Sequence, residues 1–200
     1  MVIKNLQIYG LDESSARSGF PHSTEDPQES VSIKDYSKNV ERLIRLGRMS
    51  GGHDNCLKGV IVQFDIKINH AMMVQAQRYN WWNIVSSQSK MHSITMLKSI
   101  KANCNSLVKP EIIEIVDGMI KDYNNAELKA SAAQLEEYKR FVFNAIIANV
   151  PLGFELWQGV TTNYLQLKNI YKQRKNHKLY DWRQFCDFVE GLPFMGNILS

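Results

Sequence analysis

Two stretches of the chain, 52–90 and 151–174, concentrate the side chains that can do chemistry. The first holds His53, Gln75, Arg78 and the run Ser86-Ser87-Gln88-Ser89-Lys90; the second holds Asn163, Asn169 and Arg174. Cationic groups set among hydroxyls and amides suit a nucleotide phosphate better than a hydrophobic core. Arginine in particular offers a planar fork to phosphate and stays charged at any ordinary pH. If the Ser86–Lys90 run enters a helix, free N–H groups at the helix start add to its pull on an anion. Singly, each feature has a plainer reading as a capped loop or a solvated arginine. The run also lacks the glycines of a P-loop or a dinucleotide-binding turn.

Other reactive types are less promising. His53 and His177 titrate near neutrality and can serve as acid, base or donor, but no second histidine stands at metal-ligand spacing, so no metal site is expected. Cys56, Cys104 and Cys186 are an odd count without a C-x-x-C spacing. That argues against a disulfide framework or structural zinc and fits a reducing cytoplasm. Trp81, Trp82, Trp157, Trp182, Tyr79 and Tyr164 offer rings that can stack on a base or a flavin, although packing in a core is the commoner use.

The elements that must position these groups follow from periodicity. Val60, Val62, Phe64, Ile66 and Ile68 alternate with polar residues, the pattern of a strand with one buried face. His70 to about Arg78 carries helix formers, placing Gln75 and Arg78 three apart on one helical face. Helices are also expected over 36–47, 91–100, 111–119, 128–147, 162–175 and 181–190. A short strand over 3–9 precedes a loop-rich segment to residue 35. On the 162–175 helix, at about 100° per residue, Asn163 and Arg174 fall near one face and Asn169 more than 100° away. All three cannot reach one small ligand from one subunit by this helix alone. The reading is a single α+β domain over 1–200, mostly helical, with a small antiparallel sheet.

Composition bounds the function class. At 200 residues, with 24 Lys and Arg against 20 Asp and Glu, the formal charge of +4 favours small anionic ligands without requiring a nucleic acid. The apolar runs fall short of the ~20 residues of a bilayer span, so no membrane role is expected.

Set in order, these pieces resemble the flavin-dependent thymidylate synthases, in a divergent form of phage and Firmicutes type. The likeness spans residues 36–192 and is specific in two blocks. Gly52-His53, the strand 60–68, Gln75 and Arg78-Tyr79-Asn80 match the first in register, with the 86–90 loop falling on the family signature. Pro151-Leu152, Asn163, Asn169 and Arg174 match the second. The resemblance implies that Gln75, Arg78, Ser86, Ser87, Gln88, Ser89, Lys90 and Arg174 hold a pyrimidine nucleotide, with Arg174 catalytic. It places His53, Tyr79, Asn80, Asn163, Asn169 and His177 by FAD, and implies a homotetramer with sites shared between subunits.

The activity so implied is transfer of a one-carbon unit from methylenetetrahydrofolate to C5 of dUMP or a related nucleotide, with NADPH as reductant. The sequence departs from the family at three charged positions. The Arg-His-Arg triplet reads Arg78-Tyr79-Asn80, its Glu position holds Ser86, and Ile147 stands where an Arg is expected. These departures motivate an alternative, a nucleotide-sequestering protein that kept the pocket and lost the flavin chemistry. Polynucleotide binding is a third possibility, testable by salt dependence.

Overall fold

A computed structural model describes residues 1–24, 26 and 36–200; residues 25 and 27–35 of the loop-rich segment expected up to residue 35 lie outside these. Four strands, β1 (Val2–Tyr9), β2 (Ile61–Asn69), β3 (Asn83–Ser87) and β4 (Glu155–Asn163), form one sheet in the order β1-β2-β4-β3. Neighbours run antiparallel: Gln63 donates to Thr161 and Val60 accepts from Tyr164 N, while Gln88 N donates to Trp157 O. The helices are α1 (Leu11–Arg17), α2 (Tyr36–Arg48), α3 (His70–Ala76), α4 (Lys90–Ser93), α5 (Pro110–Asn124), α6 (Leu135–Asn149), α7 (Tyr164–Arg174), α8 (Tyr180–Glu190) and α9 (Met195–Leu199). The fold is α+β and mostly helical, as the patterning predicts.

The residues gather into two compact units. The first comprises Met1–Ile66, Gln75–Ser86 and Gly159–Ser200. Its core is built on the alternation of β2, whose Val62, Phe64 and Ile66 are buried. Phe64 meets Trp82 at 5.9 Å and Phe185 at 6.1 Å between ring centroids. α8 buries Trp182, Phe185, Cys186 and Val189, the three-and-four spacing of an amphipathic helix. An ion pair also lies inside this unit: Lys168 Nζ donates to Asp54 Oδ2 at 2.6 Å and to the Met49 carbonyl.

The second unit comprises Lys67–Val74 and Ser87–Gln158. Ile94, Ile100, Val116, Ile120, Val142, Ile146 and Phe154 close its core, with α5 and α6 supplying four of them. Pro110 opens α5 at the first-turn position that suits its missing N–H.

Several expected elements differ. Leu11–Arg17 is a helix inside the expected loop, and Phe20–His22 is a 3-10 turn. β3 takes up Ser86 and Ser87, which were read as loop. The expected 91–100 helix is a single turn, α4, followed by a 3-10 turn at Ile94–Met96, and the 128–147 helix begins only at Leu135. β4 was not anticipated. Its buried positions include Glu155, Gln158, Thr162 and Asn163, so polar residues occupy the face where hydropathy would signal a strand.

Candidate functional site

Three residues singled out by sequence converge in the first unit. Arg174, the last residue of α7, donates through Nε to the Tyr79 hydroxyl at 2.7 Å and through Nη1 to Gln75 Oε1 at 3.0 Å. Gln75 sits in the last turn of α3, and Tyr79 in the turn that follows, held by its N–H to the Ala76 carbonyl. Two further residues complete the arrangement. Trp182 Nε1 donates to the same Gln75 oxygen at 2.9 Å, and the Tyr79 hydroxyl donates to Gln173 Oε1 at 3.0 Å.

The guanidinium carbon of Arg174 lies 4.8 Å from the Trp182 ring centroid and 5.6 Å from that of Tyr79. Such cation–π contacts contribute roughly 0.5–2 kcal/mol each. Every group touching Arg174 is neutral, and it pairs with no carboxylate among the described residues. Half-buried, oriented and uncompensated, this cation is prepared for an anion or for a polarisable carbonyl.

His177 stands beside the cluster, its ring 6.4 Å from Trp182. Partial burial, and then the nearby Arg174 charge, pull its pKa below the ordinary imidazole value. Its Nδ1 accepts the Leu179 N–H at 3.1 Å, so the proton of the neutral ring sits on Nε2.

The remaining residues singled out by sequence are placed elsewhere. α3 ends at Ala76, so Arg78 does not share a helical face with Gln75. It lies in a turn, its N–H on the Gln75 carbonyl, with its side chain exposed and unpaired among the described residues. Asn80 is exposed.

Asn163 precedes α7 rather than lying within it, which removes the expected common face with Arg174. Extended and buried, it is the helix N-cap, its Oδ1 accepting the Gln166 N–H at 2.9 Å. Asn169 is exposed on α7, five residues and about 140° around from Arg174. His53 opens a 3-10 turn, His53–Gly59, and lines a cavity with Arg17, Arg42 and Arg45. Ser86 is exposed on β3.

In the second unit, Gln88 is fixed by two bonds to Trp157, its N–H to the carbonyl at 2.9 Å and its Oε1 from the N–H at 3.1 Å. Ser89 caps α4 in position only, since its side chain makes no capping bond. A four-residue helix also carries little aligned dipole to add to the hydroxyls and the Lys90 charge of the Ser86–Lys90 run. Burial lowers the Lys90 amine below the ordinary lysine value, and burial, then Lys90, lowers His70.

Trp182 could on sequence serve a ligand ring or, more commonly, a core. It takes the core role: it is fully buried, with Arg174 over its ring. Gln173 went unnoticed because nothing in its own neighbourhood distinguishes it from other helix-surface amides. Among the described residues no three His, Cys, Asp or Glu side chains gather as a metal site, and the three cysteines are free.

No protein-family profile matches the sequence, and no curated protein does. Among solved structures, two of thymidylate synthase X (ThyX) from Helicobacter pylori with FAD and dUMP are similar. One aligns with a TM-score of 0.70 at 13% identity, the other with 0.65 at 16%, each covering 100% of this chain and 97% of the other. What the chain shares with these flavin-dependent thymidylate synthases, from end to end, is the fold.

Proposed function

We propose that the chain binds a pyrimidine nucleotide at the Arg174 cluster and, with FAD bound, transfers a one-carbon unit to C5 of dUMP or a related nucleotide. The observation that carries this reading is the unpaired guanidinium of Arg174, fixed by Gln75, Tyr79 and Trp182 with no carboxylate against it. Its Nη2 donates to no described residue and remains for the ligand. A bond from it to a base carbonyl or phosphate contributes about 1.5–3 kcal/mol. Arg78, exposed next to Tyr79, is a second cation for the phosphate.

The residues proposed for FAD fit it unevenly. His53, Asn80 and Asn169 present exposed polar groups without partners among the described residues, and these would hold the cofactor's polar edges. Asn163 and Tyr79 are committed to a helix cap and to Arg174. When bound, FAD supplies the hydride relay from NADPH to the one-carbon unit of methylenetetrahydrofolate. The chain's own contribution is to orient the nucleotide and, through Arg174, to stabilise charge developing on the base carbonyl. We propose a homotetramer as the working assembly.

The test is a titration of the purified protein with FAD followed by flavin absorbance, together with calorimetry using dUMP. Binding of both supports the enzyme; failure of dUMP to bind overturns the reading at its base. One observation favours a second reading. Tyr79 stands at the family's central triplet position, and its hydroxyl is spent on Arg174 and Gln173. If dUMP binds and no flavin does, the protein sequesters nucleotide without flavin chemistry.

A further inference from the structure

The formal charge of the chain is concentrated at one place. Residues 172–183 hold five of the 24 Lys and Arg but one of the 20 Asp and Glu, a net +4 that equals the charge of the whole chain and leaves 19 of each sign for the rest. In the fold these residues form the corner where α7 ends and α8 begins, within the first unit. Arg174 is half-buried and tied to Gln75 and Tyr79. Lys172, Lys175, Lys178 and Arg183 are exposed, and none forms an ion pair among the described residues. The acids of α8 do not neutralise them: Asp181 and Asp187 pair with no cation, and Glu190 accepts the Tyr171 hydroxyl at 3.2 Å.

A helix end attracts cations on its own account, because its last carbonyls carry about half a negative charge. That accounts for one of these side chains and leaves the others without a structural reason. Lys172 and Lys175 are three apart at the end of α7 and so share a face. Lys178 stands in the connection between the helices, and Arg183 in the first turn of α8.

A second observation points to the kind of anion. The Arg183 guanidinium lies 5.1 Å from the ring centroid of Tyr180, and the Lys175 amine 5.9 Å from that of Tyr171. Tyr180 is 60% exposed, so its ring offers open surface beside a cation. A flat ring flanked by cations fits a nucleobase next to its phosphates. A bilayer fits poorly, since interfacial binding needs a broad apolar face and Tyr180 is the one large apolar side chain exposed on α7, α8 or their connection. Paired strands fit less well too, because their bases stack on each other and are closed to the ring.

We propose that the α7–α8 corner binds single-stranded nucleic acid, with phosphates on Lys172, Lys175, Lys178 and Arg183 and a base stacked on Tyr180. None of these residues belongs to the Arg174 cluster, so this proposal and the dUMP reading fail separately.

The experiment is fluorescence anisotropy of labelled oligothymidylate and oligouridylate, about 20 nucleotides long, titrated with the full chain at about 50 and 200 mM salt. Four phosphate contacts give a slope of about −3 in log K against log salt, a loss of roughly fiftyfold over that range. In the K172Q/K175Q/K178Q variant the slope should shrink to about −0.7, one contact remaining, with affinity at the lower salt reduced roughly tenfold or more. Tyr180→Ala should weaken binding about tenfold and leave the slope unchanged, because stacking releases no counterions.

Tighter binding of one oligonucleotide tells whether the ribose or the deoxyribose strand is preferred, and either supports the proposal. It is overturned if neither binds at the lower salt, or if the folded triple variant keeps the wild-type affinity and slope. Equal binding of phosphatidylserine vesicles, or of a duplex of the same length, also overturns it. The three lysines are exposed, so the fold is expected to survive, as checked by circular dichroism. Should the triple variant not fold, Lys178→Glu alone lowers affinity and slope in the same direction.

Discussion

Arg174 and Trp182 donate to one and the same oxygen. Gln75 Oε1 receives Nη1 of the first at 3.0 Å and Nε1 of the second at 2.9 Å, while the guanidinium lies 4.8 Å over the indole. A neutral amide thereby orients a cation without cancelling its charge, and the buried indole holds the amide in turn.

Gln75→Glu tests whether that neutrality matters. A carboxylate in the same place would pair with Arg174 and compete with any anionic ligand. Affinity for dUMP is expected to fall by tenfold or more, with thermal stability unchanged or raised, as measured by calorimetry and a melting curve. Affinity equal to wild type would show that Arg174 does not meet the ligand.

Tyr79→Phe keeps the ring beside Arg174 and removes the hydroxyl that joins Nε to Gln173. The loss of a hydrogen bond costs about 0.5–1.5 kcal/mol of stability. Because Arg174 then has one fewer tether, the dUMP dissociation constant should rise several-fold. The readout is calorimetry beside urea unfolding, and a stability loss with no change in affinity would confine Tyr79 to a structural role.

Lys168→Met removes one partner of a buried pair and leaves Asp54, 7% exposed, without its cation. Breaking such a pair from one side costs about 3–5 kcal/mol, whereas replacing both partners by apolar residues of similar volume is often near neutral. Urea denaturation of Lys168→Met and of the Lys168→Met, Asp54→Leu double variant should therefore differ sharply, with the double variant the more stable.

His177 ties ligand binding to pH. Its pKa is lowered in the fold by burial and then by Arg174, so the fold favours the neutral ring. Its contribution to stability is complete above the ordinary value of 6.5 and is lost as pH falls below it. An anion on Arg174 offsets the guanidinium field and raises that pKa. His177 is then expected to take up protons when dUMP binds just below pH 6.5, seen as a change in the dependence of binding heat on buffer ionisation enthalpy between wild type and His177→Gln, the proton exchange of the dUMP phosphate being common to both.

How much of this was legible in sequence varies by element. β2 declares itself because Val62, Phe64 and Ile66 alternate with Gln63, Asp65 and Lys67 and face a core made of their own kind. β4 does not, because Gln158 and Thr162 occupy buried positions and Gly159 interrupts the run where the strand meets Asp65 and the backbone of Ser86. β3 is short and mostly exposed, so it has no hydrophobic face to read.

Within the site, Gln75, Tyr79 and Arg174 were each visible as residues. Their common meeting point was not, since it depends on α8 bringing Trp182 to the same oxygen, a tertiary fact with no local spacing to signal it. The Asn163 and Arg174 face argument failed for a definite reason: the helix starts one residue later than the Asn, so angular bookkeeping on an ideal helix did not apply to it.

That displaced boundary has a mechanical consequence. Asn163 ends β4 and caps α7, so the sheet and the helix meet at one corner with no intervening loop. Arg174 lies eleven residues along, a lever arm of about 16 Å at 1.5 Å per residue. A tilt of roughly 10° at the corner swings the guanidinium by about 3 Å, a full hydrogen-bond length, by the same geometry. A buried amide thus gauges where the cation points, and slack there is magnified at the far end of the helix.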